Sequence, residues 1–295
     1  MATFRQLEFI MQTETIRWPA PAKLNLFLYI TGQREDGYHE LQTLFQFIDR
    51  CDYLTITPNN SNQITITPQL SNVPLKSNLI YKAAMLLKNH TGKQLGADIV
   101  LEKNLPMGGG LGGGSSDAAT TLLALNYHWN LNLDKNTLAK MGASLGADIP
   151  IFIYGKSAIA EGIGEKLTPT TPEESYYLIA TPDCHISTPS IFKNPALKRD
   201  TKKRTHAELL TNKWSNDCEP CVKKNYPEVA NTIDWLLEYA PTMLTGTGAC
   251  IFSTFDRADK AQLVANKTPK WLNSFTTKGL NTSPLRELLS TLKIS

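Results

Sequence analysis

The chain has 295 residues, 41% of them hydrophobic, enough for one large domain or two domains that each bury a core. Lys and Arg number 30 against 27 Asp and Glu, and the resulting charge of +3 is too mild to demand a nucleic-acid or membrane partner; no apolar run is long enough for a membrane helix. Five cysteines, an odd number without a regular spacing, speak against a disulfide framework and for a reducing, cytoplasmic setting.

Residues 1–16 mix charged and apolar side chains in a pattern that is neither a signal peptide nor a clear arm of a fold, and Met11 is a second candidate start. Lys23 to Ile30 reads as a strand with Leu24, Leu26, Leu28 and Ile30 on one face and Lys23 and Asn25 on the other. That second face suits either solvent or a ligand. After a loop around Gly37, strands are expected over Leu41–Phe47, Asp52–Thr57 and Gln63–Thr67, then a helix over Leu79–Leu87 and a strand over Ala97–Glu102. A helix follows the glycine run described below, and another starts at Asp134, whose side chain suits an N-cap. Ile151–Tyr154 is expected as a strand, Ser157–Leu167 as a hairpin, and Thr168–Pro172 as a domain junction. Beyond it come a strand at Tyr176–Ala180, helices around Ala207–Leu210 and Val229–Tyr239, and a second glycine turn, Leu244 to Phe252, leading into a strand. Mixed elements with an antiparallel start indicate an α+β fold.

The most informative stretch is Pro106-Met107-Gly108-Gly109-Gly110-Leu111-Gly112-Gly113-Gly114-Ser115-Ser116. Without Cβ atoms, successive amides can approach an anion, and the alanine- and leucine-rich segment from Ser116 to Leu125 puts a helix N-terminus behind them, so the run is a phosphate site. A linker would lack the apolar strand before and the helix after. No Gly-Lys-Ser/Thr follows, which excludes the usual P-loop, and neither His-Arg-Asp nor Asp-Phe-Gly occurs, which excludes protein kinases. Gly108, Gly110 and Gly113 satisfy a dinucleotide spacing, but Asp134 opens a helix where that fingerprint needs the end of a strand.

Phosphoryl transfer needs a phosphate cradle, positive charge, and a group that handles the acceptor hydroxyl. Lys23 offers the charge. Asp148, set among Gly146, Ala147 and Ile149–Phe152, is either spent on backbone amides or kept for proton chemistry. Tyr38 and His39 sit in a polar loop where they suit an aromatic ring; Tyr38 packed on the core with His39 exposed is the plainer reading of that segment. Ser187–Phe192 is a second polar and aromatic loop, and Ser215-Asn216-Asp217 reads as a helix cap. The basic run from Lys198 to Arg204 reads as a solvated loop, and Cys218-x-x-Cys221 lacks the second pair that a zinc site wants.

Pro21–Leu26, Pro106–Ser116 and Leu244–Phe252 together resemble, in order and spacing, the three signature motifs of the GHMP small-molecule kinases. Gly32–Leu41, Gly146–Phe152, Ser187–Phe192 and Ser215–Glu219 extend the resemblance to the branch acting on a cytidine-diphospho derivative of methylerythritol in isoprenoid precursor synthesis. It spans about Trp18 to Leu285 and implies two domains: 17–168, like ribosomal protein S5 domain 2, and 169–295, a ferredoxin-like α/β domain. It further implies ATP on the glycine run, with Mg²⁺, and a monomer or weak homodimer that binds neither nucleic acid nor membrane. Asp148 would be the general base with Lys23 as its partner. Tyr38 and Phe192 would sandwich the cytosine, His39 read its polar edge, Asn25 and Thr188 hold the substrate, and Asp148 also contact it. Lys103 would flank the adenine, and Ser115 or Ser116 approach the Mg²⁺, whose ligands the resemblance does not otherwise assign.

Overall fold

A computed structural model describes residues 16–70, 73–211 and 213–293; the segment 1–15, with Met11, lies outside them. β1 (Arg17–Gln33) and β2 (His39–Asn59) form one long antiparallel hairpin, closed by a turn with Gly37 at φ 86°. Leu41–Phe47 and Asp52–Thr57, expected as two strands, are the halves of β2. The polar Asp49 and Arg50 that look like a break in the sequence fall where the register shifts opposite Ala22, so the strand bulges instead of ending.

β3 (Ile64–Thr67) pairs in parallel with β4 (Gly96–Glu102), which lies antiparallel to the end of β2, and β5 (Ala158–Glu161) and β6 (Lys166–Pro169) make the expected hairpin against the start of β2. Four helices cover this sheet: α1 (Leu79–Thr91), α2 (Gly113–His128), α3 (Lys135–Ala143) and α4 (Ile149–Tyr154). α1 buries Ile80, Ala83, Ala84 and Leu87, one stripe at i, i+3, i+4 and i+7, and the Asn78 side chain caps it by accepting from Ile80 N. α2 is buried from Ser116 to Asn126 and forms the centre of the first core with Trp18, Phe47, Leu54 and Phe152. Asp134 caps α3 as its type suggests, accepting from Thr137 N at 2.9 Å. Ile151–Tyr154 is not a strand. Pro150 starts the helical turn, Gly155 at φ 63° ends it, and the apolar run between them is too short to show a period.

After the junction come β7 (Tyr176–Thr181), then α5 (Thr188–Lys193), α6 (His206–Thr211), α7 (Glu219–Asn225) and α8 (Pro227–Leu237). β8 (Thr242–Leu244), β9 (Ile251–Phe255), α9 (Ala258–Ala265) and β10 (Asn273–Leu280) follow. The order β10-β7-β9-β8, antiparallel throughout, with α8 and α9 as the two connecting helices, is the ferredoxin-like βαββαβ arrangement. Leu178, Ile233, Leu236 and Ile251 build its core, and a third cluster of Leu24, Phe27, Leu111, Ile179 and Phe252 welds the two halves together.

β10 then runs on to pair with β2 at Phe47 and Ile48, and α10 (Pro284–Thr291) buries Leu285 and Leu289 in the first core. Each such leucine is worth roughly 1.5–3 kcal/mol of apolar burial. The last stretch therefore crosses back over the junction expected at 168/169, while the α+β class stands.

Candidate active site

The glycine run turns between β4 and α2, with Gly112 at φ 73° as the N-cap of α2 and the last glycines inside its first turn. At Gly110, φ 79°, a Cβ would run into the carbonyl oxygen of Thr245; at Gly112 it would lie 2.7 Å from the Phe152 ring. The run is therefore packed against protein on its back, and the second glycine turn holds it there: Cys250 N donates to Gly109 O at 3.0 Å. Asn216 pins that second turn in its place by donating to Leu244 O and Gly246 O.

Two cavities meet at this loop. One, of about 330 Å³, is lined by Asn78, Leu79, Lys103, Asp117 and residues 106–115; the other, of about 1320 Å³, opens between the halves of the molecule. Gly108, Gly110, Gly112 and Ser115 border both, so the loop is the wall between them.

Lys23 and Asn25 do not form a solvated face. Both are 3% exposed and line the larger cavity. Lys23 Nζ donates to Asn25 Oδ1 at 2.5 Å and to Gly110 O at 3.1 Å, and lies 3.3 Å from Asp148 Oδ2. Asp148 stands at the N-cap position of α4 yet makes no capping bond with its side chain, so its carboxylate, 37% exposed, is spent on Lys23 and the cavity. Asn25 is held from two sides, its Nδ2 donating to Thr43 Oγ1 and its backbone N to Thr245 Oγ1.

Lys103 borders the smaller cavity, but its ammonium is engaged: Nζ lies 2.5 Å from Asp52 Oδ2 and 2.8 Å from Asp117 Oδ2. Burial opposes its charge, Asp117 and Asp52 outweigh that, and its pKa rises. Asp52 Oδ1 also accepts from Asn104 N and Leu105 N, fixing the chain where it enters the glycine run. Asp117 is buried with no partner at Oδ1, and burial pushes its carboxyl up to about 7 against the pull of Lys103. Asp52 drew no notice in the sequence; an acid inside the apolar strand Cys51–Leu54 was the available signal. Ser116 has no exposed surface and an unpartnered hydroxyl, whereas Ser115 faces both cavities.

At the far end of the larger cavity Tyr38 is 60% exposed and His39 is 8% exposed, the reverse of the plainer expectation. The Phe192 ring lies 5.0 Å from the His39 ring at 31°, and Thr188 bonds Thr247 across the second glycine turn at 2.8 Å. Lys198–Arg204 is a loop solvated only in part: Lys198, Asp200, Lys202 and Lys203 are exposed, but Thr201 is buried, Arg204 covers the Tyr29 ring at 4.4 Å, and Arg199 Nε donates to His39 Nε2 at 3.0 Å. Ser215–Asp217 serves the start of α7 only through Asn216, whose Oδ1 accepts from the N-cap residue Cys218 N at 2.9 Å; the Asp217 side chain acts elsewhere. Asp217 Oδ2 accepts from Ile30 N and Thr201 Oγ1, which ties β1 to the second half. Cys218 and Cys221 are free and buried, burial pushing the Cys218 thiol up to about 12, and no group of three or more metal-ligating His, Cys, Asp or Glu occurs among the described residues.

Residues 78–156 match the family described as GHMP kinases N terminal domain, and 195–273 match GHMP kinases C terminal. The chain is 69% identical over 284 residues to the 4-diphosphocytidyl-2-C-methyl-D-erythritol kinase of Psychromonas ingrahamii, covering 96% of this chain and all of that one. It is 55% identical to the kinase of the same name from Tolumonas auensis, covering 94% and 97%. Among solved structures, a 4-(cytidine 5'-diphospho)-2C-methyl-D-erythritol kinase is 31% identical with a TM-score of 0.78, covering 90% of this chain and 99% of that one. The Methanococcus jannaschii mevalonate kinase shares the fold at 16% identity and a TM-score of 0.66, covering 92% and 100%. The chain belongs to the GHMP kinases, in the family of the 4-diphosphocytidyl-2-C-methyl-D-erythritol kinases.

Proposed function

We propose that the chain transfers the γ-phosphoryl of ATP to the 2-hydroxyl of 4-diphosphocytidyl-2-C-methyl-D-erythritol, giving the 2-phosphate and ADP, a step of isoprenoid precursor synthesis. One observation carries the reading: the glycine run walls off two cavities, and the Lys23–Asp148 pair stands where it meets the larger one. ATP occupies the smaller cavity with its phosphates on the loop amides from Gly108 to Ser115, and the cytidine substrate fills the larger.

In this reading Asp148 takes the proton of the acceptor hydroxyl. That oxygen bonds the γ-phosphorus while the bond to the bridging oxygen of ADP breaks. Lys23, within reach of Asp148 and Gly110, stabilises the charge that builds on the transferring group. Tyr38 and Phe192 flank the base, His39 reads its edge, and Asn25 and Thr188 hold the sugar alcohol. Lys103 takes part by shaping the adenine side of the loop. Ser115, which lines both cavities, would be the protein hydroxyl offered to a Mg²⁺ brought with the phosphates, and the ion would neutralise phosphate charge there. The working unit is a monomer or weak homodimer in the cytoplasm, with units 17–168 and 169–295 either side of the cleft and α10 attached to the first. No described helix is long and apolar enough to cross a membrane.

An ATP-consumption assay tests this, with plain methylerythritol phosphate and mevalonate as controls. Turnover is expected with the cytidine compound alone; equal turnover of mevalonate, or none of the cytidine compound, overturns it. Tyr38→Ala and Phe192→Ala should each raise the KM for the cytidine compound by roughly 5- to 150-fold and leave that for ATP unchanged.

A further inference from the structure

We propose that Arg199 is a positioning residue that fixes the tautomer of His39, so that the base site presents a hydrogen-bond donor and selects cytosine over uracil. The inference rests on the cytidine reading above and adds a residue to it.

Arg199 is held rigidly. Besides Nε on His39 Nε2, its Nη1 donates to Leu197 O at 2.9 Å and its Nη2 to Phe192 O and Asn194 O, both at 2.8 Å. No carboxylate pairs with it among the described residues. Three backbone carbonyls thus leave the guanidinium one direction for Nε, and that direction is the imidazole. One of those carbonyls belongs to Phe192, so the same side chain ties down both the ring that stacks and the ring that reads.

A guanidinium only donates and keeps its proton at any working pH. Nε2 of His39 must therefore be the acceptor, and a neutral imidazole then carries its hydrogen on Nδ1. A doubly protonated ring would set N–H against N–H. Burial, and after it the Arg199 charge, also lower the His39 pKa and keep the ring neutral. His39 lines the larger cavity, and no hydrogen bond to its Nδ1 occurs among the described residues, so Nδ1–H is left for a ligand.

Cytosine offers N3 as an acceptor where uracil carries N3–H. A free imidazole could move its proton and meet either base. One locked by Arg199 can only donate, which suits cytosine and sets N–H against N–H with uracil. Specificity of this kind comes from the unpaired polar group forced on the wrong ligand as much as from the bond made to the right one.

The test uses the native protein first. Nitrogen-15 NMR of histidine-labelled protein should show His39 as one neutral tautomer, protonated at Nδ1. Arg199→Met should turn that into a mixture, lower the kcat/KM ratio of the cytidine compound over its uridine counterpart by about tenfold or more, and leave the KM for ATP unchanged. The native spectrum decides the matter if Arg199→Met fails to fold. A native His39 protonated at Nε2, or an unchanged ratio in Arg199→Met, overturns the inference while the kinase reading stands. A native protein inert toward both compounds overturns the two together.

Discussion

Lys103 borders the smaller cavity and Lys23 the larger, and their surroundings differ in charge. Lys103 lies between Asp52 and Asp117, at 2.5 and 2.8 Å, so its ammonium is balanced before any ligand arrives, even while Asp117, with its carboxyl pushed up to about 7, holds a proton. Lys23 has one carboxylate, Asp148, at 3.3 Å and 37% exposed, beside the neutral oxygens of Asn25 and Gly110 and the Phe45 ring at 5.1 Å. A lysine whose partners exhaust its charge holds structure together. One with an exposed partner and neutral neighbours keeps attraction in reserve for an anion that comes and goes.

The hardest blow to this contrast comes at Asp148. Asp148→Asn should lower kcat by about 10²–10⁴ with ATP affinity kept and the fold intact, because it removes the proton acceptor and leaves Lys23 with neutral partners. A folded variant with near-native kcat would take Asp148 out of the reaction.

Lys103→Met should fail differently. It abandons two buried carboxylates to each other, at a cost of about 3–5 kcal/mol in urea unfolding, while kcat in the folded fraction falls less than tenfold. A stable Lys103→Met protein as inactive as Asp148→Asn would erase the distinction between the lysines.

The smallest effect belongs to Asp117→Asn. Lys103 keeps Asp52, and a carboxyl that burial disfavours is replaced by a neutral amide, so stability near pH 7 should change by no more than about 1 kcal/mol. The pH profile sharpens the test. The carboxyl of Asp117 sits at about 7, above the 3.8 of an unperturbed aspartate, so between those values the folded chain holds a proton that the unfolded chain has released. Its contribution is full below the lower value and is lost as pH rises through the upper one. Urea unfolding from pH 5 to 8.5 should show that fall in the native protein and a flatter curve in Asp117→Asn. Identical curves would mean that Lys103 keeps Asp117 ionised throughout.

What the sequence disclosed was local. Glycines in a row before an alanine-rich helix state their own geometry, Asp134 names its helix start, and the alternation of Lys23 to Ile30 shows a strand. The strand could not say whether its polar face met water, because that depends on the second half closing over it. Asn216, Asp217 and Arg199 misled for the same reason. Each has a side chain suited to a nearby backbone, or to solvent; Asn216 and Arg199 do make local bonds, but all three also reach partners 16 to 187 positions away, on Leu244, Ile30, Thr201 or His39. Asp52, 52 and 53 positions from the amides it holds, gave no local sign beyond an acid in an apolar strand. α4 was lost to brevity: Pro150 and Gly155 bound it, but four apolar residues between them fit either element.

The return of α10 to the first core sets an order on synthesis. Leu285 and Leu289 fill space beside residues made more than a hundred positions earlier, and Ser283 N and the Arg286 side chain close onto Gly155 O and Tyr154 O. On the ribosome, the sheet and helices built from residues 17–168 emerge first, yet part of their core is filled by Leu285 and Leu289. The nascent chain therefore carries an apolar hollow until α10 has emerged, and the arrival of that helix, rather than completion of the first half, is the event that seals it.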